Sequence, residues 1–161
     1  MSRAGSFRFI LLLLLILCLC LFLSNHYYQL MLIHGDSMEP SFHNMQFVLL
    51  DKRKQVVEPG DVVAFWSEGL HAVLVKRVVA CPGQTVMIRQ GRLLVDGKKT
   101  TLYEKAVFSF AGILSEPIVL SSGEYIVIGD NVEESKDSRY EQVGIIREND
   151  IIGIVNKKLN P

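Results

Sequence analysis

Hydrophobic positions are unevenly distributed along the chain, and the densest run lies near the N-terminus. Residues 9–23 are fifteen uncharged residues, almost all Leu, Ile, Phe or Cys. As a helix rising 1.5 Å per residue, this run covers about 22 Å, less than the roughly 30 Å hydrocarbon core of a bilayer. Phe7 and a continuation through 27–33 lengthen the helix enough to span that core, with tyrosines suited to the interface. The pattern therefore predicts a transmembrane anchor over 9–26, preceded by a short cytoplasmic segment, 1–8.

A cleaved secretory signal peptide is the alternative for this run, because it has the same basic start and short apolar centre. The residues that follow, 24–28, contain no cleavage site of the small-x-small type, which favours a retained anchor. Arg3 and Arg8 precede the run, and the first Lys or Arg after it is Lys52. The positive-inside rule then leaves the N-terminus in the cytoplasm. We therefore expect a single-pass protein of the cell membrane with an extracytoplasmic C-terminal domain, 27–161.

Beyond the run, short segments rich in Val and Ile alternate with turn-forming residues. The segments predicted as β-strands are 46–51, 62–66, 71–80, 85–89, 92–95, 124–128 and 151–156. Turn signals such as 58–61 separate them at the spacing expected of a sheet or barrel. Asp96-Gly97 favours a type I′ hairpin between neighbouring strands. The fold class is therefore predicted as mainly β, a barrel-like domain with an excursion over 96–123.

Composition narrows the classes of partner and cofactor. Lys plus Arg and Asp plus Glu are 17 each, for a net charge of zero, so the charge does not indicate a nucleic-acid partner. Cys18 and Cys20 fall in the apolar run and Cys81 lies outside it, so the outer domain has no pair for a disulfide. The sequence contains no cluster of ligands typical of a metal site, and we predict neither a metal nor another cofactor.

The first candidate for chemistry is Ser37, within the segment 35–40, Gly-Asp-Ser-Met-Glu-Pro. A serine hydroxyl is a poor nucleophile and needs a base within hydrogen-bond reach. The usual base is histidine, and the chain has four: His26, His34, His43 and His71. An ordinary surface or interface position explains each of them equally well. The histidines therefore do not identify the base.

A lysine offers a different base. In the predicted strand 71–80, alternation puts Lys76 on one face with Ala72, Leu74 and Val78. The reference pKa near 10.4 leaves only about one lysine in 10³ neutral at pH 7, but burial can lower that pKa by about 3–5 units. A lysine that reaches solvent from an edge strand is the alternative. Alternation alone leaves both possibilities open.

A polar cluster follows the predicted strand 124–128. Residues 129–139 carry Asp130, Ser135, Asp137 and Arg139. Gly, Asp, Asn and Ser form turns, so a solvated loop explains the composition. The same residues could also form an ion pair and supply hydroxyl donors beside a neighbouring site.

Four segments together resemble a known family: 35–40, 60–63, 75–83 and 129–139. In this order, behind an N-terminal anchor, they are similar to the signature boxes of bacterial type I signal peptidases. The small size and the single anchor resemble the Gram-positive form. The resemblance covers essentially the whole chain and implies a Ser-Lys endopeptidase that removes signal peptides from exported preproteins.

The resemblance also implies roles for individual residues. Ser37 would be the nucleophile, and its backbone N–H an oxyanion donor, with Lys76 as the general base. Ser135 would orient the lysine amine. Asp137 and Arg139 would form a structural ion pair, and Asp130 would support the loop 129–139. Some relatives carry a serine hydroxyl two residues before the nucleophile, where this chain has Gly35, so the second oxyanion donor stays open.

The implied substrate is an extended strand between the segment before Ser37 and the strand before Lys76. The expected walls of a shallow apolar pocket for small residues are Ile33, Met38, Leu74 and Val75. The expected partners are signal peptides and membrane lipid, near the secretion translocon. Two alternatives are a specialised pilin-processing or conjugation-type peptidase and a catalytically silent anchored binding domain.

Overall fold

The computed structural model of the protein describes residues 3–53 and 56–156. It begins with one helix, α1 (Arg3–Tyr27), and continues almost entirely as β-structure. The strands are β1 (Tyr28–Leu32), β2 (Phe47–Asp51), β3 (Val62–Ser67), β4 (Ala72–Ala80), β5 (Thr85–Arg89), β6 (Arg92–Val95), β7 (Lys98–Lys99), β8 (Ile118–Val119), β9 (Glu124–Ile128), β10 (Ile146–Arg147) and β11 (Ile151–Asn156). Two 3₁₀ turns are Gly112–Ser115 and Glu148–Asp150. The seven predicted strands are confirmed to within one residue at each end.

The helix ends at Tyr27 and the chain enters β1 at Tyr28, so the predicted continuation of the helix through 27–33 is wrong beyond its first residue. β1 pairs antiparallel with β2, from Tyr28↔Asp51 to Leu32↔Phe47. That ladder satisfies the backbone groups that a longer helix would have satisfied internally. Within 3–53 and 56–156, no helix combines the length and apolarity needed to cross a membrane, so the predicted span over 9–26 is not confirmed. The apolar side chains of 7–22 are nevertheless exposed.

The larger sheet has seven strands in the order β1-β2-β11-β3-β4-β9-β10. Its neighbouring strands pair antiparallel throughout. β4 is near the centre, and from Lys76 to Ala80 its side chains are buried on both faces. The sheet therefore carries a lysine into the protein interior.

A smaller sheet, β7-β6-β5-β8, occupies residues 85–119 and overlaps the predicted excursion. Its β6–β7 hairpin turns at Asp96 (φ 51°) and Gly97 (φ 74°). Positive φ at both central positions is what a type I′ turn requires, so that prediction is confirmed. A shared apolar core joins the small sheet to β4 and β9: Val79, Ala80, Val86, Ile88, Leu93, Tyr103, Phe108, Leu114, Leu120, Ile126 and Ile128.

Candidate active site

Ser37 lies in a tight turn between β1 and β2. The Glu39 N–H donates to the Asp36 carbonyl at 3.1 Å, and the Phe42 N–H donates to the Met38 carbonyl at 2.9 Å. Met38 and Phe42 are buried in the core beneath this turn. Because buried side chains anchor this turn in the core, Ser37 is held in a half-buried position.

Lys76 meets Ser37 directly. Its Nζ lies 2.6 Å from the Ser37 Oγ. The lysine is only 3% exposed and stands in β4 opposite Val63 of β3. The alternative of a lysine that reaches solvent is therefore wrong, because β4 is buried on both faces from Lys76 onward.

Burial lowers the pKa of Lys76 to about 8. The negative charges of Asp137 and Asp130 oppose this effect, while the positive charge of Arg139 adds to it. At that pKa roughly one lysine in ten is neutral at pH 7, well over a hundred times the neutral fraction of a free lysine. A neutral amine in contact with a hydroxyl can accept its proton, so the pair has the chemistry of a general base and a nucleophile.

The loop 129–139 folds around a buried ion pair between Asp137 and Arg139. The Arg139 Nε donates to the Asp137 Oδ1 at 2.8 Å, and the two side chains are 2% and 0% exposed. Asp137 Oδ2 also accepts from the Gly129 N–H at 3.1 Å. Arg139 Nη2 donates to the carbonyls of Val132 (2.6 Å) and Ser135 (3.2 Å). The ion pair implied by the resemblance is thus present, and it sets the path of the loop.

Ser135 differs from its implied arrangement. Its hydroxyl is buried, but Oγ has no hydrogen-bond partner among the described residues, so the expected bond to the Lys76 amine is not formed. Ser135 packs instead against Gly129. A Cβ at Gly129 would lie 2.2 Å from the Ser135 Oγ and 2.5 Å from the Ser37 carbonyl oxygen. Only glycine allows Ser135 and Ser37 to approach the same backbone so closely.

Asp130 pairs with Arg77, the residue after Lys76. Arg77 Nε donates to the Asp130 Oδ1 at 2.6 Å, and Arg77 Nη2 contacts the Asp130 Oδ2. The guanidinium also donates to the Gly60 carbonyl at 2.7 Å and the Ser41 hydroxyl at 3.2 Å. Tyr103 of the small-sheet region donates to Asp130 at 3.3 Å. This network ties β4, the Ser37 turn and the loop to one another.

Sequence reasoning missed Arg77, Ser41 and Tyr103. One available signal was a second cation next to Lys76 in a strand with the pattern of a buried element. The partners of that cation could not be read from sequence, because Asp130 lies 53 positions away. Burial raises the pKa of Tyr103, which keeps its hydroxyl protonated as a donor.

A cavity of about 430 Å³ opens beside Ser37 and Lys76. Its walls come from β1 with the residues after it, from the Ser37 turn and from β4, and its lining includes all four predicted pocket residues: Ile33, Met38, Leu74 and Val75. β9 pairs with β4 only from Arg77 to Ala80. The β4 edge over 72–76 therefore lacks a strand partner on that side within the described chain.

The four histidines take no part in the contact between the Ser37 Oγ and the Lys76 Nζ. His26, His43 and His71 are exposed, and His43 Nδ1 lies 3.1 Å from the Glu39 carboxylate. His34 is exposed and lines the cavity near Ser37. In the described chain Ser37 Oγ has a hydrogen bond with Lys76 and with no histidine.

Comparison with known proteins agrees with this geometry. The family model described as "Signal peptidase, peptidase S26" matches residues 6–159. Signal peptidase I V of Bacillus subtilis is 32% identical over 140 residues, covering 77% of this chain and 81% of the relative. Signal peptidase I T of the same organism is 31% identical over 134 residues, covering 76% and 68%.

A solved structure supports the fold. The crystal structure of a signal peptidase I from Enterococcus faecalis superposes with a TM-score of 0.53 at 23% identity. The match covers 63% of this chain and 98% of that structure. Together with the match over 6–159, these relatives show that the chain belongs to the signal peptidase family, peptidase S26.

Proposed function

We propose that this protein is a serine endopeptidase that removes N-terminal signal peptides from exported preproteins, with Ser37 as nucleophile and Lys76 as general base. The observation that carries the proposal is the 2.6 Å contact between the Lys76 Nζ and the Ser37 Oγ. Burial keeps enough of the lysine neutral to act as a base near neutral pH. Relatives named signal peptidase I support this substrate class and favour neither of the two alternatives.

The first half of the reaction forms an acyl-enzyme. Ser37 Oγ attacks the scissile carbonyl carbon, and its proton passes to the neutral Lys76 amine. The oxygen of the resulting tetrahedral intermediate takes the negative charge and accepts a hydrogen bond from the Ser37 N–H. Collapse then breaks the C–N bond, and the Lys76 ammonium returns the proton to the leaving amine. The products of this half are the free N-terminus of the mature protein and an ester at Ser37.

Hydrolysis repeats the sequence with water. The oxygen of a water molecule attacks the ester carbon while Lys76 takes a proton from that water. The Lys76 ammonium then protonates the Ser37 Oγ as the C–O bond breaks. The signal peptide leaves as a carboxylic acid, and the dyad returns to its starting state. This is the Ser-Lys variant of the logic of the Ser-His-Asp triad.

The unpaired edge of β4 supports binding of substrate as an added strand. An extended peptide beside residues 72–76 would make main-chain hydrogen bonds there and present alternate side chains to the cavity. Ile33, Met38, Leu74 and Val75 line that cavity. We propose that these apolar walls admit small residues such as Ala near the cleaved bond.

We further propose that α1 attaches the enzyme to the lipid bilayer, with the N-terminus in the cytoplasm and the β domain outside. The support is the run of exposed apolar side chains from Phe7 to Phe22 and the basic residues Arg3 and Arg8 before it. Preproteins leave the translocon at that surface, so the enzyme would act close to it. Flotation of the full chain with lipid vesicles tests this, and Leu13→Asp/Leu17→Asp should abolish flotation. A protein that stays with the aqueous fraction in both forms would contradict the attachment.

The activity is tested by incubating the detergent-solubilised protein with a preprotein carrying an Ala-x-Ala site. Mass spectrometry of the mature product should locate cleavage after the second Ala. Ser37→Ala and Lys76→Ala should each abolish it, and the double variant should be no worse, because the pair acts as one unit. Lys98→Ala, an exposed lysine on β7, is the matched control. Processing that persists in Ser37→Ala would overturn the proposal.

A further inference from the structure

We infer that Asn131 is a positioning residue for the oxyanion donor: it fixes the Asp36–Ser37 peptide so that the Ser37 N–H points at the developing charge. The inference rests on the proposed function, because it concerns the same reaction at Ser37. Asn131 follows Asp130 in the loop that begins at the end of β9. Its side-chain hydrogen bond goes to the backbone beside Ser37 and not to the Ser37 Oγ or the Lys76 Nζ, so we expect it to act through the backbone of the nucleophile.

Asn131 donates hydrogen bonds to two successive backbone carbonyls, those of Asp36 and Ser37. Its backbone N–H donates to the Ser37 carbonyl at 3.1 Å. Its side-chain Nδ2 donates to the Asp36 carbonyl at 3.3 Å. One residue therefore contacts both peptide units that flank the nucleophile.

Peptide geometry converts this contact into control of the oxyanion donor. The Asp36 carbonyl and the Ser37 N–H belong to one planar trans unit, in which they point in opposite directions. The hydrogen bond from Asn131 Nδ2 turns the Asp36 carbonyl toward Asn131. The Ser37 N–H of the same peptide therefore points away from Asn131. Ser37 N makes no hydrogen bond to any described residue, so this donor is left for substrate.

The Asp36–Ser37 peptide is restrained by contacts on several sides. The Gly35 N–H before it donates to the Asn44 Oδ1 at 3.0 Å. Gly35 has φ +87° and no neighbour within 4 Å of the place where a Cβ would stand. The Glu39 N–H also donates to the Asp36 carbonyl, at 3.1 Å, so the turn restrains this peptide from one side and Asn131 from the other. Donors aimed in advance at the oxyanion stabilise the transition state more than donors that must reorient.

Asn131 is itself placed by rigid neighbours. Asp130 is paired with Arg77, the residue after Lys76. The Asn131 carbonyl accepts from the Glu134 N–H at 3.2 Å. Through the Arg77–Asp130 pair, the loop that carries Asn131 is attached to β4, the strand that also carries Lys76.

The test compares Asn131→Ala and Asn131→Asp with the control Asn149→Ala, an exposed asparagine in the second 3₁₀ turn. Asp keeps the size of Asn and the backbone contact but cannot donate from its carboxylate. We expect kcat to fall about tenfold in both variants, since part of one oxyanion donor is lost. KM and the thermal midpoint should stay unchanged in both variants, and the pH midpoint of the rate should stay unchanged in Asn131→Ala, which adds no charge near Lys76.

The discriminating readout is a peptide aldehyde of the signal-peptide sequence. Ser37 Oγ adds to its carbonyl carbon and the hydroxyl proton moves to the carbonyl oxygen, giving a hemiacetal whose oxygen occupies the oxyanion position. Its inhibition constant should rise by the same factor as kcat falls, while binding of the uncleaved peptide to Ser37→Ala should not change when Asn131→Asp is added. Unchanged kcat in both variants, or a loss that follows KM and melting instead, would overturn the inference. If Ser37→Ala stays active, the proposed function fails; if only the Asn131 variants behave normally, this inference alone fails.

Discussion

Lys76 and Ser37 are 39 positions apart in sequence, yet the Nζ of one lies 2.6 Å from the Oγ of the other. The contact arises because the β3–β4 hairpin carries the lysine to the centre of the large sheet, beside the turn that follows β1. A charged lysine is poorly solvated there, and burial lowers its pKa. The fold therefore lowers the pKa of a lysine that contacts a serine hydroxyl, and the same burial has consequences for stability.

Replacing Lys76 by Met should stabilise the fold at neutral pH while removing activity. The pKa of Lys76 is about 8 in the folded protein against 10.5 as its ordinary value. Between those pH values the unfolded chain binds more protons, so wild-type stability rises with pH across this window. Below pH 8 the cost of burying the charge is fully present. We expect Lys76→Met to be about 1–3 kcal/mol more stable than wild type at pH 7.

Urea denaturation at pH 7, 9 and 10.5 measures this effect. The advantage of Lys76→Met should shrink as the pH rises and should have largely disappeared at pH 10.5. Lys98→Met, at an exposed position in β7, should differ from wild type by less than about 0.5 kcal/mol at every pH. A Lys76→Met protein that is less stable than wild type at pH 7 would contradict the cost of burying this charge.

Asp137→Ala should destabilise the fold and lower the activity. It leaves the guanidinium of Arg139 buried without its carboxylate and removes the acceptor of the Gly129 N–H. Breaking a buried pair in this way typically costs about 3–5 kcal/mol. Thermal denaturation should show a clear loss, whereas Lys136→Ala, an exposed neighbour in the same loop, should leave the midpoint in place. An unchanged midpoint for Asp137→Ala would remove its structural role.

Ser135→Ala separates stability from catalysis. The Ser135 hydroxyl is buried without a hydrogen-bond partner in the part of the chain that the structure describes. Its removal therefore breaks no bond there and should not lower the thermal midpoint. The role that the resemblance implies for this serine is to orient the Lys76 amine. Loss of one such bond should slow kcat by about ten- to a hundredfold. A wild-type kcat would show that Ser135 serves only the packing against Gly129.

The strands and the residues of the candidate site could be predicted because their signals are local. Short Val- and Ile-rich segments bounded by turn formers identify strands without knowledge of their partners. The hairpin at Asp96-Gly97 follows from two residues that tolerate positive φ. Ser37 and Lys76 were identified from the segments around them, and the ion pair of Asp137 with Arg139 spans only two positions.

The rest depends on pairing across the fold. The apolar residues of β1 continue the apolar pattern of α1, and only the ladder with β2 makes them a strand. β8 and β10 are two residues each, too short for any periodicity to show. The bond between Arg77 and Asp130 joins different elements, and the position of the Ser135 hydroxyl depends on its close approach to Gly129. Sequence patterns do not contain these distances.

The pH dependence of kcat/KM tests the central claim most directly. With a soluble peptide containing the cleavage site, kcat/KM should rise with pH as Lys76 loses its proton, with a midpoint near pH 8. The profile should be unchanged in His34→Ala and His71→Ala. A rising limb near the histidine value of about 6.5 that vanishes when one of these histidines is replaced would contradict a mechanism in which Lys76 activates Ser37.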